Sequence, residues 1–158
     1  MSKSQRRSWL DGPEIPAEFS EHGPARWPGE HLGLPAHGPN SLASVIRRAG
    51  GVTIDWIGCW IVAAFINIFT SVLGGTATLT YLLFIVLGVT TVTLFARTPG
   101  QAVLGMGVAR IDSANERVGF VRALARTVFT ALVLPAAMVD TDGRGMHDRA
   151  TGTAVIMA

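Results

Sequence analysis

The longest uncharged run of the chain extends from Trp56 through Ala96, a stretch of 41 positions without an acidic or basic side chain. One helix of that length would be about twice as long as the ~20 residues that cross a ~30 Å hydrocarbon layer. The run therefore has to fold back. The paired glycines of LGGT at 73–76 mark the turn, because glycine ends helices at low cost. The pattern predicts two antiparallel spans at about 52–73 and 77–96, joined as one helical hairpin.

A third apolar segment, at about 123–139, does not match the length of a simple span. Its uninterrupted core at 127–139 has only 13 residues, contains Pro135 and is bounded by Arg126 and Asp140. The segment is therefore a full crossing, a re-entrant hairpin kinked at the proline, or a helix lying in the membrane interface. Arginines on both sides of it favour a segment that does not cross.

Two short runs with strand character flank this segment, at 103–111 and at 153–157 (TAVIM). If both lie on one side of the membrane, they can pair as a small β element. The predicted fold class is an all-α membrane protein. It consists of an antiparallel transmembrane helical hairpin, a third short apolar segment that is re-entrant, interfacial or spanning, and the small β element.

Composition supports a membrane location. The chain is 49% hydrophobic and 15% charged. In a soluble domain, roughly a quarter of the residues are charged. Its net charge of +2 comes from arginine, since Lys3 is the only lysine, and is too small to indicate a nucleic-acid partner. Basic residues beside apolar spans set orientation and contact anionic lipid. The predicted partners are therefore the lipid bilayer and its anionic lipid headgroups.

The distribution of arginine predicts the orientation of the hairpin. Arg47 and Arg48 precede the first span, Arg97 follows the second, and the tip between the spans has no basic residue. By the positive-inside rule, both ends of the hairpin are cytoplasmic and the tip is outside. The amino terminus and the β element then also lie in the cytoplasm, as in a multi-pass protein of the cell (plasma) membrane.

Residues 1–40 are rich in proline and glycine and show no helical or strand periodicity, which predicts a disordered cytoplasmic arm before a membrane domain at 41–158. SQRRSWL near the start is similar to a twin-arginine export signal, but the acidic, proline-broken stretch after it excludes that interpretation. His22, His31 and His37 lack metal-ligand spacing, and Cys59 is the single cysteine. No metal, cofactor or disulfide is predicted.

Asp55 lies about one helical turn inside the apolar boundary, where a carboxylate is costly unless it is paired. Arg48 is on the same helix face about 10 Å away, which is too far for a direct ion pair, so a bridging water or another segment is implied. Near the other end of the chain, His147 directly precedes Asp148. Adjacent side chains project differently and no nucleophile accompanies them, so they are interpreted as a structural pair and not as a catalytic dyad.

Three motifs resemble those of the RDD family of membrane proteins, named for one arginine and two aspartates. RRAGGVTIDW at 47–56 is similar to its first-helix motif, RTPGQAVLGMGVARID at 97–112 to its glycine-rich cytoplasmic motif, and GMHDRATGTAVI at 145–156 to its closing motif. The resemblance covers about 41–158, and the arm segment WPGEHLGLPAHGPNS resembles that of actinobacterial members. It implies that Arg48 or Arg47 is the family arginine and that Asp55 and Asp148 are the aspartates. It also implies a protein without established activity, for which ligand transport has been suggested.

The resemblance and the cost of an unpaired carboxylate together predict a polar cluster of Arg48, Asp55 and Asp148 at the cytoplasmic face, with Arg47 and His147 beside it. The predicted function is that of an accessory or structural membrane component whose cluster locks the fold. The alternative is an oligomeric transporter of ions or small ligands that uses Asp55 as an intramembrane carboxylate. The possible protein partners are further copies of the chain, which the transport alternative requires, or a larger membrane complex, which favours the accessory function. Enzyme activity is not expected, because the sequence has no phosphate loop, metal cluster, or nucleophile and base at suitable spacing.

Overall fold

The computed structural model describes residues 25–70, 72–112, 116, 118–132 and 143–158 of the chain. Within these residues the helices are α1 (Val45–Phe69), α2 (Thr76–Phe95), α3 (Pro99–Val103), α4 (Phe120–Ala131) and α5 (Met146–Thr151). The strands are β1 (Met106–Arg110) and β2 (Thr153–Met157), and a short 3-10 helix spans Glu30–Leu32. The described part of the chain is therefore mostly helical, with one small sheet.

Helices α1 and α2 form the predicted hairpin, and each is long and apolar enough to cross a membrane. The sequence prediction of two long apolar helices is confirmed. Gly74 supplies the turn with a φ of 92°, a conformation that side chains with a Cβ rarely adopt. Helix α1 begins seven residues before the predicted span, because the Ser44 hydroxyl caps it by accepting the backbone N–H of Arg47 at 3.3 Å.

Helix α1 of the hairpin buries mostly small side chains and exposes large apolar ones. In α1 the buried residues recur at every fourth position: Gly51, Asp55, Cys59 and Ala63. The outer side of the same helix carries exposed apolar side chains such as Trp60, Ile61 and Phe65. A helix in water would have the opposite arrangement, with its bulky apolar face turned inward. The surface of the hairpin is therefore compatible with an apolar surrounding such as a bilayer.

The end of the hairpin where α1 begins and α2 ends is here called the open end. Helix α4 packs lengthwise against α2 and runs away from this open end. Near its start Ala123 clusters with Val92, and at its end Ala131 packs against Cys59 and Phe84. At a rise of about 1.5 Å per residue, Cys59 lies about 16 Å further along α1 than Arg48. Helix α4 thus reaches roughly the middle of the hairpin.

The chain then returns to the open end. The carbonyl of Gly143 accepts a hydrogen bond from the Arg48 guanidinium in the first turn of α1. Gly143 therefore lies at the same end of the hairpin as the start of α4. Pro135, where the sequence places a kink, lies outside the described residues.

The sheet joins the last strand to the start of the hairpin. Strands β1 and β2 pair antiparallel, with Met106 opposite Met157 and Arg110 opposite Thr153, which confirms the predicted two-strand element. The backbone of residues 40–43 lies along the other side of β2, through an isolated bridge between Leu42 and Ile156. These hydrogen bonds fix the chain immediately before α1.

The structure describes residues 25–40 of the predicted arm. Residues 25–40 form ordered turns, in which the Trp27 indole donates to the carbonyl of Leu34 at 3.0 Å. The Asn40 N–H donates to the carbonyl of Met157 at 2.8 Å, so this segment continues into the sheet. His31 and His37 are exposed within it, and His22 lies outside the described residues together with the rest of 1–24. The sequence of 25–40 has no helical or strand periodicity, so the Trp27 contact and the backbone pairing could not be predicted from it.

The close contact between α2 and α4 generates the first prediction. A Cβ at Gly88 would come within 2.6 Å of Thr127 Cγ2. Gly88→Ala should therefore destabilise the protein by about 1–3 kcal/mol through overpacking. The measurement is the temperature at which half of the detergent-purified protein still elutes as a monodisperse peak.

A second substitution and a control make this prediction specific. Adding Thr127→Ser removes the clashing methyl and should restore much of the lost stability. Gly58→Ala is the matched control on the exposed side of α1, where an added Cβ meets nothing within 4 Å. Equal stability of Gly88→Ala and Gly58→Ala would contradict the described packing.

Candidate functional site

The candidate site is a buried ion cluster centred on Asp148, a carboxylate in the first turn of α5 with no exposed surface. Its Oδ1 forms an ion pair with Arg126 Nη1 and accepts a hydrogen bond from the Thr153 hydroxyl at 3.2 Å. Its Oδ2 lies 3.7 Å from Arg48 Nη1. One carboxylate therefore joins α1, α4, α5 and β2. Because a buried charge without partners is strongly unfavourable, these contacts constrain all four elements.

Each arginine reaches the cluster from a different direction. Arg48 is the fourth residue of α1 and is largely buried, with Nη2 bonded to the carbonyl of Gly143. Arg126 lies on the buried face of α4, and its Nη1 also donates to the Thr153 hydroxyl at 3.3 Å. Thr153 of β2 thus contacts both Arg126 and the carboxylate that Arg126 neutralises.

His147 lies beside the cluster and is fixed by tight packing. Its Nε2 is 3.5 Å from Asp148 Oδ2, and a Cβ at Gly145 would come within 2.6 Å of its Cε1. The absence of a side chain at Gly145 therefore makes room for the imidazole. This arrangement is that of a buried structural pair, and the ring also forms part of the wall of a cavity.

Asp55 is held by α3. Its Oδ1 accepts the backbone N–H of Gly100 at 2.7 Å, and Thr98 lies nearby at the start of the same helix. Thr98 also caps α3 in a capping box with Gln101. The carboxylate binds unsatisfied backbone donors at the start of a helix, which is a favourable way to place a charge near hydrocarbon.

Glycine is required at this contact for steric reasons. A Cβ at Gly100 would overlap the carbonyl oxygen of Gly51 and come within 3.0 Å of the Asp55 carboxyl carbon. Helices α1 and α3 therefore approach each other backbone to backbone. The motif RTPGQ docks on the first helix through this contact.

The structure changes the membership of the predicted cluster. Arg48, Asp148 and His147 come together as expected from the sequence motifs. Among the described contacts, Asp55 pairs with neither of the other two charged residues of the expected triad, and Arg126 takes the third position. Arg47 lies outside the cluster as an exposed side chain near the sulfur of Met157, at 3.8 Å.

In the sequence, Arg126 marks the boundary of an apolar segment. A helical reading of 120–131 contains the signal that was missed, because Arg126 lies on the same face as Ala123, Thr127 and Thr130, all of which are buried. A single arginine on the apolar face of an amphipathic helix indicates a buried anionic partner. The partner itself, Asp148, follows only from the tertiary structure.

A cavity of about 440 Å³ lies between α1, α2 and α4, next to the cluster. The polar groups of its wall include Arg48, Arg126, His147 and Asp55. Its apolar part is lined by side chains that include Trp56, Phe84 and Leu87, with the Trp56 ring stacked on Phe84 at 4.9 Å between centroids. The volume is within the range of about 300–1,000 Å³ that is usual for small-molecule sites.

A separate ion network holds the start of α4 on the surface. Asp112 Oδ2 lies 2.7 Å from Arg122 Nη2 and 2.9 Å from Arg110 Nη2. Hydrogen bonds from Arg110 and then Arg122 hold the pKa of the Asp112 carboxyl well below its usual range. Its contribution to stability is therefore present above the ordinary aspartate pKa and is lost as the pH falls below that value. Because these groups are exposed, water and salt weaken the network.

Comparisons do not assign the site. No protein-family model, no curated protein and no solved structure matches the chain. Within the part of the chain that the structure describes, no group of three His, Cys, Asp or Glu side chains is placed to hold a metal ion. The interpretation of the site therefore depends on its geometry.

The ion cluster generates the second prediction. Arg126→Ala removes the ion-pair partner of Asp148 Oδ1 and leaves Arg48 as the remaining arginine of the cluster, so it should destabilise the protein by about 3–5 kcal/mol. The readout is the same thermal series in detergent. Arg47→Ala, which removes an exposed arginine one residue from Arg48, should leave stability nearly unchanged. If the two variants were equally stable, Arg126 would not be part of the stabilising cluster.

Proposed function

We propose that this chain is a small integral membrane protein of the RDD type that acts as an accessory or structural component of the cell membrane. In this proposal the cluster of Arg48, Arg126 and Asp148 is a lock between the hairpin and the elements that cover its open end. The observation that carries the proposal is the complete burial of Asp148 between two arginines from different helices. Removing one partner from such a cluster is strongly destabilising whatever else the protein does.

The membrane location is supported by the outward face of the hairpin. Its exposed large apolar side chains match lipid, and its small residues are used where α1 meets α2 and α2 meets α4. The open end carries the arginines of the cluster and the surface ion network, while the described tip has no charged residue. By the positive-inside rule, the open end faces the cytoplasm.

The second candidate function is transport by an oligomer with Asp55 as the ion-binding carboxylate. It is favoured by one observation, the presence of Asp55 in the wall of the same cavity as Arg48 and Arg126. The structural role is favoured by the direct hydrogen bond from the Gly100 N–H to Asp55 Oδ1, because this bond docks α3 on α1. We therefore place transport second.

Orientation is tested by cysteine labelling in a Cys59→Ser background. A single cysteine at Gly75, in the exposed tip, should react with a membrane-impermeant maleimide on intact cells. A single cysteine at Met146, which is exposed at the start of α5, should react only after permeabilisation. Labelling of position 146 on intact cells would overturn the proposed topology, because it would place α5 outside.

The role of Asp55 is tested by Asp55→Asn in proteoliposomes. The asparagine carbonyl can still accept the Gly100 N–H, so the fold should persist with a modest loss of stability of about 1–2 kcal/mol. Under the structural proposal, proton or sodium flux is the same for the variant, the parent protein and empty vesicles. Flux in the parent that is abolished in a normally folded Asp55→Asn would favour the transport alternative.

The state of the purified protein separates the accessory role from a self-contained carrier. In a mild detergent, the accessory proposal expects the chain to elute together with a larger membrane complex. A stable assembly of identical copies with no other component would instead support the transport alternative, since two spans in one chain cannot enclose a pathway.

A further inference from the structure

We propose that the cavity between α1, α2 and α4 binds one anionic amphiphile from the bilayer. Its phosphate or carboxylate headgroup lies against the guanidinium groups of Arg48 and Arg126, and the first part of its tail lies against Trp56, Phe84 and Leu87. The inference rests on the membrane location proposed above, and it holds whether or not the ion cluster has a role beyond folding.

The chemistry of the cavity wall selects an anion. The described contacts of Arg126 are both made by Nη1, to Asp148 and to Thr153, so Nε and Nη2 are not used in them. Within the described residues, Arg48 Nε is buried without a hydrogen-bond partner. Arg126 therefore retains donors for an additional acceptor, and Arg48 adds a second positive charge to the same wall. A phosphate or carboxylate is the acceptor that guanidinium binds most strongly.

The other polar groups of the wall are engaged within the protein. Asp55 accepts a hydrogen bond from α3, as described above. The hydroxyls of Thr53, Thr127 and Thr130 each donate to a carbonyl of their own helix. A cation would thus compete with existing partners of the only acidic side chain among the cavity-lining residues, whereas an anion would use donors that are still available.

The cavity has its arginines and its aromatic rings at depths that match the headgroup and the tail of a membrane lipid. Arg48 is in the first turn of α1, at the boundary of the apolar run, and Trp56 is about 12 Å further along the helix. A headgroup at Arg48 thus places the first methylenes of a tail beside the stacked rings of Trp56 and Phe84. Val45 and Ala49, which line the cavity, are exposed on the outside of α1 and form a rim that a lipid can pass.

The experiment is lipid titration of the full-length protein in detergent micelles, followed by native mass spectrometry. The probes are phosphatidylglycerol and oleate as anionic amphiphiles, phosphatidylcholine as a zwitterionic lipid, and glycerol phosphate as a water-soluble anion. We expect one tightly held copy of an anionic amphiphile per chain, with at least about tenfold weaker retention of phosphatidylcholine and of glycerol phosphate.

The matched variants leave the ion cluster intact. Ala49→Phe fills the rim of the cavity and should weaken binding of the anionic amphiphile at least about tenfold. Ile57→Phe adds similar bulk to an exposed position of α1 outside the cavity and should bind like the parent, as should Arg47→Gln, which removes a neighbouring surface charge. The thermal series above verifies that all three variants are folded.

Several outcomes would overturn the inference. Equal retention of phosphatidylcholine would show that the site does not select charge, and equal binding of glycerol phosphate would show that it takes a soluble anion. An equal loss in Arg47→Gln and Ala49→Phe would indicate surface electrostatics and not the cavity. If cysteine labelling supports the topology and the amphiphile still does not bind, this inference fails and the proposed function stands. Labelling that contradicts the topology would overturn both this inference and the proposed function.

Discussion

Neutralisation of one buried carboxylate is the constraint on which the described structure depends. Asp148 has no exposed surface and contacts arginines from α1 and α4 and a hydroxyl from β2. Each of these partners is itself held in place, Arg48 by the Gly143 carbonyl and Thr153 by the pairing of the sheet. Since a charge left alone in such a place costs several kcal/mol, the elements can move only together.

The two acidic residues near the open end are stabilised in different ways. Asp148 has charged partners, and Asp55 has the backbone donor of Gly100. The first solution joins elements that are far apart in sequence. The second docks the short helix that directly follows the hairpin, and it depends on the absence of a side chain at Gly100. Together they attach both the middle and the end of the chain to α1.

The hairpin and the sheet were accessible from sequence, because each depends on a one-dimensional pattern. An uncharged run interrupted by two glycines specifies two helices, and two short β-branched runs specify a strand pair. The partner of Asp55 was not accessible, since a backbone N–H at Gly100 leaves no residue-type signal, although the T-x-x-Q pattern at Thr98 marks a helix start with free donors. Arg126 was missed because its burial depends on which face of α4 meets α2.

The distance in sequence between Arg48 and Asp148 determines the order in which the protein can assemble during synthesis. In the proposed membrane location, the hairpin leaves the ribosome well before α5 and β2 are made, so its long helices have to be stable with Arg48 still hydrated at the surface. Arg48 lies in the first turn of α1, where a long side chain can extend to water. The cluster forms only after α5 has been made, because α5 supplies Asp148. A chain that stops before α5 would therefore present Arg48 and Arg126 without the carboxylate that neutralises them.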